Sequence, residues 1–170
     1  AFGGLNVIRF HEDGVEVEPL DLPEVTFRRL QRNTMLFFTG SSRDSATILR
    51  QQTKSSRDNE ARVIDALHAV KDIAMRVHGC LLDGDLQRFG NLLHESWEQK
   101  KRFASGISNS FIDQCMQTAR DRGALGGKIT GAGGGGFLML YCESEYQDDV
   151  SSALEGMGLR RMDFNFDTEG

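Results

Sequence analysis

The stretch Gly126-Gly127-Lys128-Ile129-Thr130-Gly131-Ala132-Gly133-Gly134-Gly135-Gly136 is the part of this sequence best suited to chemistry. Glycine loses more backbone freedom on folding than any other residue, so a folded chain keeps such a run only where something compensates. Without Cβ atoms in the way, successive amides can approach a phosphate or a neighbouring loop and form an anion-binding concavity. The plainer reading is a flexible turn or linker. It fits poorly, because apolar strand patterns abut both ends and Lys-Ile-Thr interrupts the glycines. Two phosphate-binding patterns fail on context. Gly131, Gly133 and Gly136 satisfy G-x-G-x-x-G, but a dinucleotide fold needs a helix directly afterwards to face the pyrophosphate. Here Phe137-Leu138-Met139-Leu140-Tyr141-Cys142 follows, a strand pattern. A P-loop would need Gly where Arg122 stands and Ser or Thr where Ile129 stands.

Basic side chains come next. Lys128 either neutralises phosphate charge or is an exposed strand residue. Lys100, Lys101 and Arg102 suit phosphate oxygens, with a solvated helix end as the alternative. Arg43, beside Thr39-Gly40-Ser41-Ser42 at a helix start, is a comparable phosphate candidate. His94 and Trp97 fall on an inward helical stripe, where packing or a buried hydrogen bond is preferred to catalysis. Ser108 has no base in a recognisable order, and Ser108-Asn109-Ser110 suits helix capping. His11, His68 and His78 are scattered and receive no role.

These residues must be positioned by a chain of 170 residues with 39% hydrophobic content, enough for one well-filled core or a domain plus an appendage. A net charge of -5, 8% aromatics and no basic stripe argue against a nucleic-acid partner. No apolar run approaches the roughly 20 residues of a membrane span, and no basic-then-apolar leader is visible. Cys80, Cys115 and Cys142 lie inside apolar patterns and read as reduced core thiols of a cytoplasmic protein. No zinc or haem spacing appears, and no metal ligands are assigned. The chain opens at Ala1 without a methionine and enters a strand pattern at once, so it is expected to be a fragment of a longer protein.

Leu5 to Phe10, and Val15, Val17 and Leu20, predict a hairpin turning at Asp13-Gly14. Pro19 and Pro23 bracket a short connector. Met35-Leu36-Phe37-Phe38 reads as a buried strand ending at Thr39-Gly40. Four helices are predicted next. Ser42 would cap the one carrying Ile48 and Leu49. Asp58 would cap one with Val63, Leu67, Val70, Ala74, Val77 and Leu81 on a single stripe. Asp83-Gly84-Asp85 ends it and caps a third, with Leu86, Phe89, Leu93 and Trp97 inward. Ser110 and Asp113 form a capping-box-like start for a fourth, with Ile112, Cys115, Met116 and Ala119 inward and Gly123 as its stop. A helix from Tyr146 to about Glu155 and a strand alternating Met162, Phe164 and Phe166 with polar residues complete the order. Strand, helices, strand, strand, helix, strand over residues 33 to 166 is the split βαβ pattern of ferredoxin-like domains, with extra helices in the first crossover. The expected class is α+β: an antiparallel sheet with helices on one face, preceded by a β-hairpin.

Gly127 to Phe137 resembles the third signature of the GHMP kinase superfamily, named for galacto-, homoserine, mevalonate and phosphomevalonate kinases. Ile107-Ser108, Leu92 to Lys101, Thr39-Gly40, Arg43 and Ile48-Leu49 resemble its bacterial branch acting on D-glycero-D-manno-heptose 7-phosphate. Ala1-Phe2-Gly3-Gly4-Leu5-Asn6 resembles the segment after that branch's catalytic aspartate. The resemblance implies phosphoryl transfer from Mg-ATP to a sugar hydroxyl, with ATP and Mg2+ as cofactors and a small sugar phosphate as substrate. It implies a division into residues 1–32, a hairpin and connector left from the amino-terminal domain, and 33–170, the carboxy-terminal domain. The main phosphate loop and the catalytic Asp would belong to the chain's own amino-terminal domain, so these residues alone are expected not to catalyse transfer. Gly131, Ala132, Gly133, Gly134, Gly135 and Gly136 would pack beside that phosphate loop, with Lys128 and Thr130 close by and Arg43, Lys100 and Lys101 toward the sugar phosphate. A kinase of the same superfamily for galactose, fucose or mevalonate, and a non-catalytic ligand-binding module of this fold, remain the alternatives.

Overall fold

Alternating strand formers on either side of a two-residue bend give β1 (Asn6–His11) and β2 (Gly14–Pro19), an antiparallel ribbon in the computed structural model, which describes residues 2–40, 45–58 and 60–169. The bend is Glu12-Asp13 rather than Asp13-Gly14: Gly14 opens β2 opposite His11 and is not among the glycines with positive φ. This register sets Ile8 against Val17 and Phe10 against Val15, and Arg9 against Glu16, so cross-strand pairs decide it over the turn dipeptide.

A helix, α1 (Glu24–Asn33), stands where the sequence reading assigns only a connector. Pro23 has a φ of -52° and Glu24 lies in the first turn, which suits a helix start. Thr26, Leu30 and Asn33 are its buried positions. β3 (Thr34–Phe38) follows directly, then α2 (Ser45–Arg57), α3 (Ala61–Asp83), α4 (Leu86–Lys100) and α5 (Ser110–Asp121). The cap proposed at Ser42 lies outside the described residues. Asp58 does not cap α3: its amide donates to Lys54 O at the end of α2, and α3 starts after Glu60. Gly84, with a φ of 70°, closes α3, and Asp85 caps α4 by accepting from the Arg88 amide at 3.0 Å. Asn109 rather than Ser110 caps α5, accepting from Ile112 N at 3.0 Å.

β4 (Ala124–Ile129), β5 (Phe137–Cys142), α6 (Gln147–Gly156) and β6 (Arg160–Met162) complete the chain. The sheet order is β4-β5-β3-β6, with every neighbouring pair antiparallel. Leu138 and Leu140 of β5 join Met35, Phe37 and Ile129 in the main core, with Ile112, Cys115 and Met116 of α5 and Val150 and Leu154 of α6. The opposite face is covered too. Tyr141 and Met139 meet Leu30, Leu81, Leu86 and Leu93 in a second cluster, and the Phe89 ring lies edge-on to Tyr141 at 5.4 Å. Helices on one face only is therefore corrected, because α4 runs along the edge strand β4 on the Tyr141 side. A Cβ on Gly126 would sit 2.1 Å from Gly90 O, so this approach requires glycine.

The last strand is also shorter than its alternation predicts. Beyond Met162 the chain leaves the sheet; Phe166 packs edge-on against Phe27 at 5.5 Å, and Asn165 accepts from Gln31 at 3.1 Å. The unforeseen α1 supplies those partners. Among the described residues no helix is long and apolar enough to cross a membrane.

Candidate functional site

The glycine loop joins β4 to β5 and is pinned at three points. Thr130 N donates to Phe137 O at 2.9 Å, closing its base. Thr39, just past β3, donates its amide and hydroxyl to Gly136 O at 2.9 and 3.0 Å. Ile107, ahead of α5, accepts from Gly134 N at 2.8 Å. Gly133 shows why side chains are excluded: its φ is 106°, and a Cβ there would lie 2.9 Å from Ile107 O and 3.0 Å from Ile107 Cγ2. Gly133, Gly134 and Gly135 are buried and Ala132 packs on the main core, so the segment is a built loop and not a linker.

Two lysines stand at its foot. Lys100, the last residue of α4, donates from Nζ to Gly131 O. Lys128 precedes the loop on β4, opposite Met139. Burial pushes Lys100 down to about 8, with the nearby Lys128 ammonium adding to the effect. Lys128 is also depressed, by burial.

Lys101 is placed differently. Its ammonium meets Glu98 at 2.8 Å and Asp113 at 3.5 Å. Ser108 donates to the same Asp113 at 2.8 Å, and Arg102 turns back to Gln99 at 2.6 Å. Arg43 lies outside the described residues. Trp97 is buried in the main core with no partner for its indole N–H. The His94 Nε2 accepts from Arg120 at 2.8 Å, and burial, then Arg120, lowers its pKa. The structure thus brings Thr130, the glycines, Lys128 and Lys100 together and leaves Lys101 beside them in its own carboxylate network. The anchor at Ile107 acts through a backbone carbonyl, which no side-chain pattern marks. No group of three or more His, Cys, Asp or Glu that could hold a metal occurs among the described residues.

Residues 77–158, which hold α4, α5 and the whole loop, match the family described as GHMP kinases C terminal. The chain carries a GHMP kinase C-terminal domain. It is 29% identical over 170 residues to the D-glycero-alpha-D-manno-heptose 7-phosphate kinase of Campylobacter jejuni, covering 99% of this chain and 50% of that protein. Among solved structures it is similar to a D-glycero-D-manno-heptose 1-phosphate kinase from Bacteroides thetaiotaomicron, with a TM-score of 0.69, 28% identity and coverage of 100% and 44% of the two chains. The fold also matches L. major mevalonate kinase, with a TM-score of 0.77, 21% identity and coverage of 94% and 48%. The GHMP kinase C-terminal domain and its flanks thus span about half the length of these kinases.

Proposed function

We propose that this chain is the carboxy-terminal part of a cytoplasmic, ATP-dependent sugar kinase acting on a heptose phosphate. The observation that carries the reading is the pinned glycine loop, packed at Gly133 so closely on Ile107 that a Cβ would clash, in a chain similar over 99% of its length to a heptose 7-phosphate kinase. ATP supplies the phosphoryl group, and catalysis in such a reaction is mainly positioning and charge neutralisation. The residues of this chain hold the loop in one shape through Thr39, Ile107 and Thr130, and the half-buried Lys100 and Lys128 beside it would neutralise phosphate charge. Among the described residues no cluster of metal ligands accompanies the loop, and no step here is assigned to Mg2+. The strand order β6-β3-β5-β4 supports a ferredoxin-like split βαβ domain over residues 33–170, with residues 1–32 belonging to the amino-terminal half.

The test is ADP release by the complete protein with D-glycero-D-manno-heptose 7-phosphate, compared with galactose, fucose and mevalonate. Turnover with the heptose phosphate far above the others is expected, and none from residues 1–170 alone. A preference for another sugar or for mevalonate would move the substrate assignment. Clear turnover by residues 1–170 would overturn the division of labour.

A further inference from the structure

Ile107 holds the glycine loop by its carbonyl, and that carbonyl shares one rigid peptide plane with the amide of Ser108. Gly134 N donates to it at 2.8 Å, and Gly133 packs so closely there that a Cβ would lie 2.9 Å from the same oxygen. Whatever turns Ser108 therefore turns the acceptor on which the loop rests. Ser108 is itself tethered, because its hydroxyl donates to Asp113 Oδ1 at 2.8 Å. Asp113 lies in the first turn of α5 and also meets the Lys101 ammonium at 3.5 Å, which Glu98 of α4 holds at 2.8 Å. The simpler reading is that Asp113 only serves the helix start, where an acid is favourable. It does not account for the bond from Ser108. Asn109 already caps α5 by accepting from Ile112 N at 3.0 Å, and an acid needs no hydroxyl donor to act on the helix dipole.

We infer that Asp113 is a positioning residue for phosphoryl transfer: through Ser108 it fixes the Ile107 carbonyl, and so the shape of the loop at Gly133 and Gly134. It acts at one remove from the loop. The contact with Lys101 is long and partly exposed and contributes little, so the short bond from Ser108 carries the effect. Together with the Asn109 cap, this tether fastens two successive side chains to the first turn of α5 and leaves the Ile107 peptide little freedom to rotate. The loop's part in the reaction rests on the kinase reading; the tether does not.

Two measurements on the complete protein test this, and one of them needs no turnover. Amide hydrogen exchange, resolved by NMR, should quicken about tenfold at Gly134 in Ser108→Ala and in Asp113→Ala, as expected when a supporting hydrogen bond is lost. It should change less than about twofold at Thr130, whose bond to Phe137 closes the loop independently. Ser108→Thr keeps the hydroxyl and should bring Gly134 back to the wild-type rate. In ADP release, kcat should fall about tenfold in both Ala variants and recover in Ser108→Thr, while Gln117→Ala, exposed on α5, leaves it unchanged. Wild-type exchange at Gly134 in both Ala variants overturns the inference. If Asp113→Ala disturbs α5, Ser108→Ala decides alone, because it leaves the acid and the Asn109 cap in place. Faster exchange at Gly134 with wild-type kcat overturns the role in the reaction. A wild-type protein that releases no ADP with any sugar or with mevalonate sinks the kinase reading, and exchange at Gly134 still decides the tether.

Discussion

The seam between α4, β4 and the glycine loop and the ribbon of β1 and β2 are both built from few residues, yet they are held by opposite means. At the seam, backbone meets backbone: Gly126 lies against Gly90, and Gly133 against Ile107, with no room for a methyl group. In the ribbon, Ile8, Phe10 and Val15 are paired across strands but remain open, Phe10 to 78%. Steric constraint is unforgiving because close-packed backbone cannot yield, whereas an exposed pair contributes only tenths of a kcal/mol. The chain invests its rigidity beside the proposed phosphate site.

That contrast is broken most directly at Gly126. A Cβ 2.1 Å from Gly90 O forces α4 off β4, so Gly126→Ala should cost about 3 kcal/mol or more, or prevent folding, as read by thermal denaturation. Gly133→Ala should cost about 2 kcal/mol, from positive φ and the Ile107 contact together. Gly131→Ala is the sharpening control: its φ is 68° but nothing lies within 4 Å of the added Cβ, so about 1 kcal/mol is expected. Equal losses at Gly131 and Gly133 would remove the Ile107 contact from the account.

Lys100 gives a smaller effect with a definite sign. Its folded pKa is lowered to about 8 from an ordinary 10.5, so between these values the unfolded chain binds more protons and stability rises with pH. At pH 7 the charged, buried form is a penalty in the folded state. Lys100→Met should therefore be more stable than wild type at pH 7, by on the order of 1 kcal/mol after allowing for solvent screening, and should lose that advantage by about pH 10. A constant difference from pH 7 to 10 would contradict this. Smallest of all, Phe10→Ser in the ribbon should shift stability by less than about 0.5 kcal/mol.

Much of this was legible in the residues because local patterns coincide with global packing. The stripe of α3, the Asp83-Gly84-Asp85 break and the glycine density each mark an element that the structure contains. What was not legible depended on partners distant in sequence. Gly14 looked like a turn residue until the Ile8–Val17 and Phe10–Val15 pairs fixed the register. Phe164 and Phe166 looked like a strand until α1, hidden behind Pro23, offered Phe27 and Gln31. The difference between Lys100 and Lys101, adjacent and chemically identical, arises from Gly131, Glu98 and Asp113 and from no local pattern.

The most direct measurement is the ADP-release rate of the complete protein carrying Gly133→Ala, with far-ultraviolet circular dichroism on the same sample. If the loop shapes the phosphate site, the folded variant should lose about a hundredfold in kcat, as expected when reacting groups are displaced by about an ångström. A folded variant that turns over at the wild-type rate would contradict a role for this loop in phosphoryl transfer.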